Sequence, residues 1–82
     1  MMAKAQETYE DIICKILLLE RDMISNDVTQ EDLEVWDSMT HLALVSELEQ
    51  AFNIFLSDDD ILEIKTIGDI KKILGKYGIK VI

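Results

Sequence analysis

Apolar positions along the chain recur at three- and four-residue spacing in three separate stretches, each predicting an amphipathic helix. The first stripe is Tyr9, Ile12, Ile13, Ile16, Leu19 and Met23, which predicts a helix from about Lys4 to Asp22, with Cys14 off the stripe as a half-exposed structural thiol. The second begins behind Asp37, whose carboxylate is placed to cap free amides. It sets His41, Leu44, Val45, Leu48 and Phe52 on one face. Met39, Ala43, Ser46, Glu47 and Gln50 fall opposite, Leu42 and Glu49 lie at a flank, and Asn53 suits a left-handed stop. The last stripe, Ile67, Ile70, Ile73, Leu74 and Tyr77, opens at a Thr66/Asp69 capping box and stops near Gly78.

The intervening segments are polar but not featureless. Ser25 to Thr29 carries turn chemistry, and the loop onward to Asp37 holds Val28, Leu33, Val35 and Trp36, which predicts a loop pinned to the helices. Ser57 followed by Asp58, Asp59 and Asp60 reads as a cap with acids in a first turn, predicting a short third helix through about Glu63. The expectation is an all-α, four-helix bundle, three main helices plus one short third helix, forming a single domain over residues 1–82.

Composition supports this and narrows the partners. Proline is absent and glycine occurs three times, which leaves helices uninterrupted and disfavours a turn-rich β domain. The formal net charge is −9, and no Lys or Arg lies between Arg21 and Lys65. Such a surface repels nucleic acid and anionic membranes and attracts basic protein patches. One Cys and one His exclude an internal disulfide and do not close a zinc shell. The aspartates at 58–60 lack the alternating ligands and glycine of a calcium loop, so they read as a solvated cluster and no metal site is expected. The start, Met1-Met2-Ala3-Lys4-Ala5-Gln6, has no signal-peptide core, and no apolar run reaches the ~20 residues of a membrane span. The expected location is cytoplasmic.

Asp37-Ser38-Met39 is where chemistry could sit, although the Asp-Ser dipeptide by itself reads as no more than a helix cap. A serine in the first turn of a helix, after a long loop, presents its hydroxyl to solvent. A phosphate esterified there lies at the positive end of the helix dipole. His41, one turn along, is within reach of Ser38 and raises the alternative of a nucleophile–base pair in a small hydrolase. An 82-residue bundle without glycine near the serine offers little for an oxyanion hole or substrate pocket. His41 therefore reads as a residue edging the core. A third reading is an acidic helical interaction module with no prosthetic group.

The run from Trp36 to Ile54, Asp-Ser-Met followed by an apolar helix, Leu48-Glu49, Phe52 and Ile54, resembles the phosphopantetheine attachment region of acyl and peptidyl carrier proteins. Ile64-Lys65-Thr66-Ile67-Gly68-Asp69-Ile70 is similar to that family's Thr-capped final helix, so the resemblance covers nearly the whole chain. It implies an acyl-carrier-protein-like bundle that is not an enzyme. Its 4'-phosphopantetheine would be attached to Ser38 by a phosphopantetheinyl transferase from coenzyme A. Acyl intermediates would ride as thioesters on that arm, and the carrier would act as a monomer. Partners would be acyl-activating ligase or synthase enzymes with basic docking patches. They would meet Asp37, Met39, Ser46 and Glu49, while His41, Leu44, Val45 and Leu48 would contact the arm or acyl chain. Ala43 and Gln50 replace acids common in fatty-acid carriers, and Val35 replaces a usual glycine. Trp36 before Asp-Ser, with His41 after it, resembles a variant of discrete carriers working beside adenylating ligases.

Overall fold

The computed structural model describes residues 5–81. It has four α-helices, α1 (Ala5–Leu17), α2 (Ser38–Phe52), α3 (Asp58–Glu63) and α4 (Ile67–Lys76), with 3₁₀ turns at Arg21–Met23 and Gln30–Asp32. The expected stripes become the core: Tyr9, Ile12, Ile13 and Leu17 of α1 meet Leu44, Val45 and Leu48 of α2 and Ile67, Ile70, Ile73 and Leu74 of α4. Cys14 is half-buried, as its position off the stripe suggests.

Three caps anticipated from side-chain chemistry are present. Asp37 Oδ1 accepts from the Thr40 amide at 2.9 Å, and capping boxes form at Ser57/Asp60 and Thr66/Asp69. Asn53 takes the left-handed conformation that ends α2 (φ 56°), and Gly78, at φ 87°, follows α4 where a side chain would be strained.

The first helix is shorter than its apolar stripe predicts. Its expected start at Lys4 lies outside the described residues, and its end is at Leu17 rather than Asp22. Leu18 turns left-handed (φ 57°) and is exposed. The chain then doubles back, so that Arg21 pairs with Glu10 at 2.8 Å and with Asp11 on α1. Met23, expected on the buried stripe, is exposed in consequence. A continued helix would have carried Arg21 about three turns beyond both acids.

The long loop is pinned, though by backbone pairing more than by its apolar residues. Gln30 N donates to Lys65 O at 3.1 Å, Ile67 N to Val28 O at 3.0 Å and Gly68 N to Asn26 O at 3.1 Å, around a bridge between Thr29 and Thr66. The approach at Gly68 is close: a Cβ there would sit 3.1 Å from Asn26, which would have to shift to admit it. The loop before α2 is thus stitched to the segment that opens α4.

Asp60 is not part of a solvated cluster. It is buried, its carboxylate accepting from Lys76 and, at 2.5 Å, from the Tyr77 hydroxyl, so that it fastens α3 to the end of α4. Among the described residues no group of His, Cys, Asp and Glu is arranged to hold a metal ion.

Tyr9 carries the opposite kind of buried polar atom. Its hydroxyl is enclosed without a hydrogen-bond partner among the described residues, and burial raises its pKa. Replacing Tyr9 with phenylalanine should stabilise the protein by about 1 kcal/mol in a urea melt, since an unpaired buried hydroxyl is destabilising. A loss of stability in the variant would contradict this account of the core.

Candidate functional site

Ser38 is the first residue of α2 and is exposed, immediately after the Asp37 cap. The Asp37 carboxyl is held below the usual carboxylate range, chiefly by the backbone amide of Thr40. Asp37 is therefore an exposed anion and a structural cap at once. Because Asp37 does the capping, the Ser38 hydroxyl is left for other work.

Beside Ser38 lies a cleft of ≈ 320 Å³ between the start of α2 and α3, lined by Gln30, Ser38, His41, Leu42, Ile61, Leu62 and Ile64. A hollow of similar size, ≈ 340 Å³, sits at the far end of α2 among Ser46, Glu49, Gln50, Asn53, Ile54 and Phe55. Only the first touches the serine, so it is the one relevant to a group carried there. Of the residues expected to contact an arm or chain, His41 lines it. Leu44, Val45 and Leu48 are instead buried in the core behind it, packed against α1 and α4. Gln30, Leu42, Ile61, Leu62 and Ile64 also line the cleft, beyond the contacts expected from the sequence. Leu42 and Leu62, large apolar side chains left exposed, are the sequence signal that marks this groove.

His41 is committed on both ring nitrogens. Trp36 is buried, and its Nε1–H donates to His41 Nδ1 at 2.9 Å, with Gln30 Nε2 3.3 Å from the same atom. The Trp36 and His41 rings are inclined by only 24° with centroids 6.1 Å apart, as an in-plane N–H···N bond between their edges requires. An indole nitrogen only donates, so Nδ1 accepts and the ring proton sits on Nε2. From there it donates to the Ile61 carbonyl at 2.9 Å. Leaving either partner of such a bond unpaired in the interior costs about 1–3 kcal/mol. With the Nδ1 lone pair occupied and Nε2 protonated, His41 is not arranged as a general base toward Ser38, which removes the geometry a Ser/His hydrolase requires.

The expected docking residues occupy one exposed flank only in part. Met39 is 81% exposed, and Ser46 is exposed while accepting a bond from Gln50. Glu49 has a structural task, its carboxylate accepting from the Leu56 amide at 2.9 Å to close the turn after α2. Glu47, assigned to the solvent face, is half-buried and paired with Lys15 of α1 at 3.1 Å.

The arrangement leaves room for a tethered phosphodiester: an exposed serine at a helix N-terminus, where the dipole favours an anion, with a cleft alongside. Among the described residues no helix is long and apolar enough to cross a membrane.

Comparison with known proteins agrees. The family described as a phosphopantetheine attachment site matches residues 10–74. An acyl carrier protein of Syntrophobacter fumaroxidans is 32% identical over 75 residues, 92% of this chain and 93% of that protein. One from Lactobacillus johnsonii is 35% identical over 60 residues, 72% of this chain and 74% of its own. A solved Mycobacterium tuberculosis structure assigned as an acyl carrier protein superposes with a TM-score of 0.78 at 30% identity, covering 90% of this chain and 99% of its own. Fold, site and sequence therefore converge on one conclusion: the chain belongs to the acyl carrier proteins, which hold acyl intermediates on phosphopantetheine and are carriers rather than enzymes.

Proposed function

We propose that Ser38 is the attachment residue and that residues 1–82 act as one carrier domain. The observation that carries this is the exposed Ser38 hydroxyl at the start of α2, free of the capping duty that Asp37 performs. In the loading reaction the Ser38 Oγ–P bond forms as the pyrophosphate bond of coenzyme A breaks. Adenosine 3',5'-bisphosphate leaves, and a phosphopantetheinyl transferase accepts the serine proton. No base on the carrier is required, which fits the commitment of His41 elsewhere. Once attached, the group supplies a terminal thiol on which acyl intermediates are held as thioesters.

The carrier's own residues position that tether and present a surface. Asp37 holds the first turn rigid and keeps a negative charge beside the serine. Met39 and Ser46, with the part of Glu49 left to solvent, form the flank for partner enzymes. Those partners are acyl-activating ligases or synthases with basic patches, because the carrier has no Lys or Arg between Arg21 and Lys65. Trp36 and His41 fit a discrete carrier serving a ligase. Action as a monomer in the cytoplasm, where coenzyme A is available, completes the reading.

Intact mass after incubation with coenzyme A and a broad-specificity transferase tests it. The protein should gain one phosphopantetheine, in a transferase-dependent manner. An interaction module would stay at its original mass. A hydrolase would turn over an activated ester without coenzyme A.

A further inference from the structure

We infer that His41 is a specificity-determining residue, which latches α3 to α2 beside Ser38 and keeps an apolar acyl chain out of the helical core. The inference rests on the reading of Ser38 as the attachment point, and concerns what the tether can carry. The helix that forms one wall of the cleft, α3, has only six residues, too few to stand on its own hydrogen bonds. It is held by two neighbouring residues acting in different directions. Asp60 ties it to Lys76 and Tyr77 at the end of α4, and the Ile61 carbonyl ties it to His41 of α2 at 2.9 Å.

The ring that makes the second tie has no freedom to let go. Trp36 donates to its Nδ1, with Gln30 Nε2 3.3 Å from the same atom, and the buried indole lies edge to edge with it. Behind it the space is filled, since Leu44, Leu48 and Ile64 are at most 1% exposed. An acyl chain that sought the core from Ser38 would have to part α3 from α2 at His41. That would strand an imidazole N–H and a carbonyl in apolar surroundings, with the indole N–H next in line. The cleft as it stands is a groove with apolar walls at Leu42 and Leu62 and a polar edge at Gln30 and His41. It suits a short or polar acyl group lying along its surface. A long apolar chain stays outside.

The test loads the full-length protein with octanoyl-phosphopantetheine directly from octanoyl-coenzyme A, and compares it with the unacylated holo form. Intact mass comes first. Failure to load overturns the attachment reading and the latch with it, whereas loading followed by chain burial overturns the latch alone. In the wild type the octanoyl chain should move the melting temperature by no more than about 1 °C. In His41→Leu, where the tie is gone, the chain should raise it by roughly 4–8 °C. His41→Gln, whose amide can both accept from Trp36 and donate to Ile61, should behave as wild type. A wild-type protein stabilised as strongly as the leucine variant, or a leucine variant indifferent to the chain, refutes the inference. Should His41→Leu fail to melt cooperatively, hydroxylamine cleavage of the wild-type thioesters decides. Octanoyl and acetyl forms reacting within about twofold of each other support the latch, and octanoyl slower by roughly tenfold refutes it.

Discussion

Ser38→Ala should abolish phosphopantetheine attachment outright: the variant is expected to keep its original mass under conditions in which the wild type is fully converted. The reason such a result reads as chemistry rather than misfolding lies in the local structure. Ser38 is exposed, and the bond that starts α2 comes from the Asp37 carboxylate to the Thr40 amide, not from the serine. Alanine is a good helix former, so the variant should stay within about 0.5 kcal/mol of wild-type stability. An unchanged thermal melt accompanied by zero mass gain is the expected pair of observations. Ser46 provides the internal comparison. It too is exposed and borders a hollow, but it lies in the middle of α2, away from a helix N-terminus, with its hydroxyl engaged by Gln50. A Ser38→Ala protein that still gains one arm would move the attachment point elsewhere and dismantle the proposed geometry.

The largest expected effect on stability is at Asp60. Asp60→Ala should lower the melting temperature by roughly 8–15 °C at neutral pH, because it removes a helix cap and strands a phenol that had an anionic acceptor. Its pH dependence follows from the same contacts. Hydrogen bonds from Lys76 first and Tyr77 second hold the Asp60 carboxyl well below the usual carboxylate range, outweighing the opposite push of burial. A group whose folded pKa lies under its unfolded value of about 4 contributes its stability above that value and loses it as pH falls through the folded pKa. Wild-type stability should therefore fall as pH drops below about 4, and the gap between wild type and Asp60→Ala should narrow over the same range. At the alkaline end the sign reverses. The bond to Asp60 raises the pKa of both Lys76 and Tyr77, so their contribution is complete below about 10 and fades as pH rises beyond it. Melts of the two proteins across pH check this, and parallel curves would show that Asp60 is not the group responsible.

Much of the carrier is legible in its residues alone. The stripes at Tyr9–Leu17, His41–Phe52 and Ile67–Leu74 are local periodicities, and the caps at Asp37, Ser57 and Thr66 act within a single turn of their own helices. Ser38 is different: its first-turn surroundings alone read as a helix cap, and only the resemblance of the whole run from Trp36 to Ile54 singles it out. The end of α1 is not legible. Leu18 and Leu19 continue an apolar, helix-favouring run with no breaker in it. The helix gives way to a left-handed turn at Leu18, after which Arg21 comes back to Glu10 and Asp11, contacts that no local pattern announces. Glu49, a docking acid by its resemblance to the family's position, also accepts from the Leu56 amide seven residues on, a contact that nothing local reveals.

Apart from the end of α1, where helices form, which faces they bury, and that a hydroxyl stands at the mouth of α2 are dictated by neighbours within about four positions, so the bare chain already specifies them. Three other features arise only on folding. Asp60 becomes a buried fastener, the loop at 26–30 is sewn to 65–68, and His41 spans from Trp36 to Ile61. Those contacts join segments brought together by packing, and a charge or an imidazole takes its role from the partner that burial leaves it.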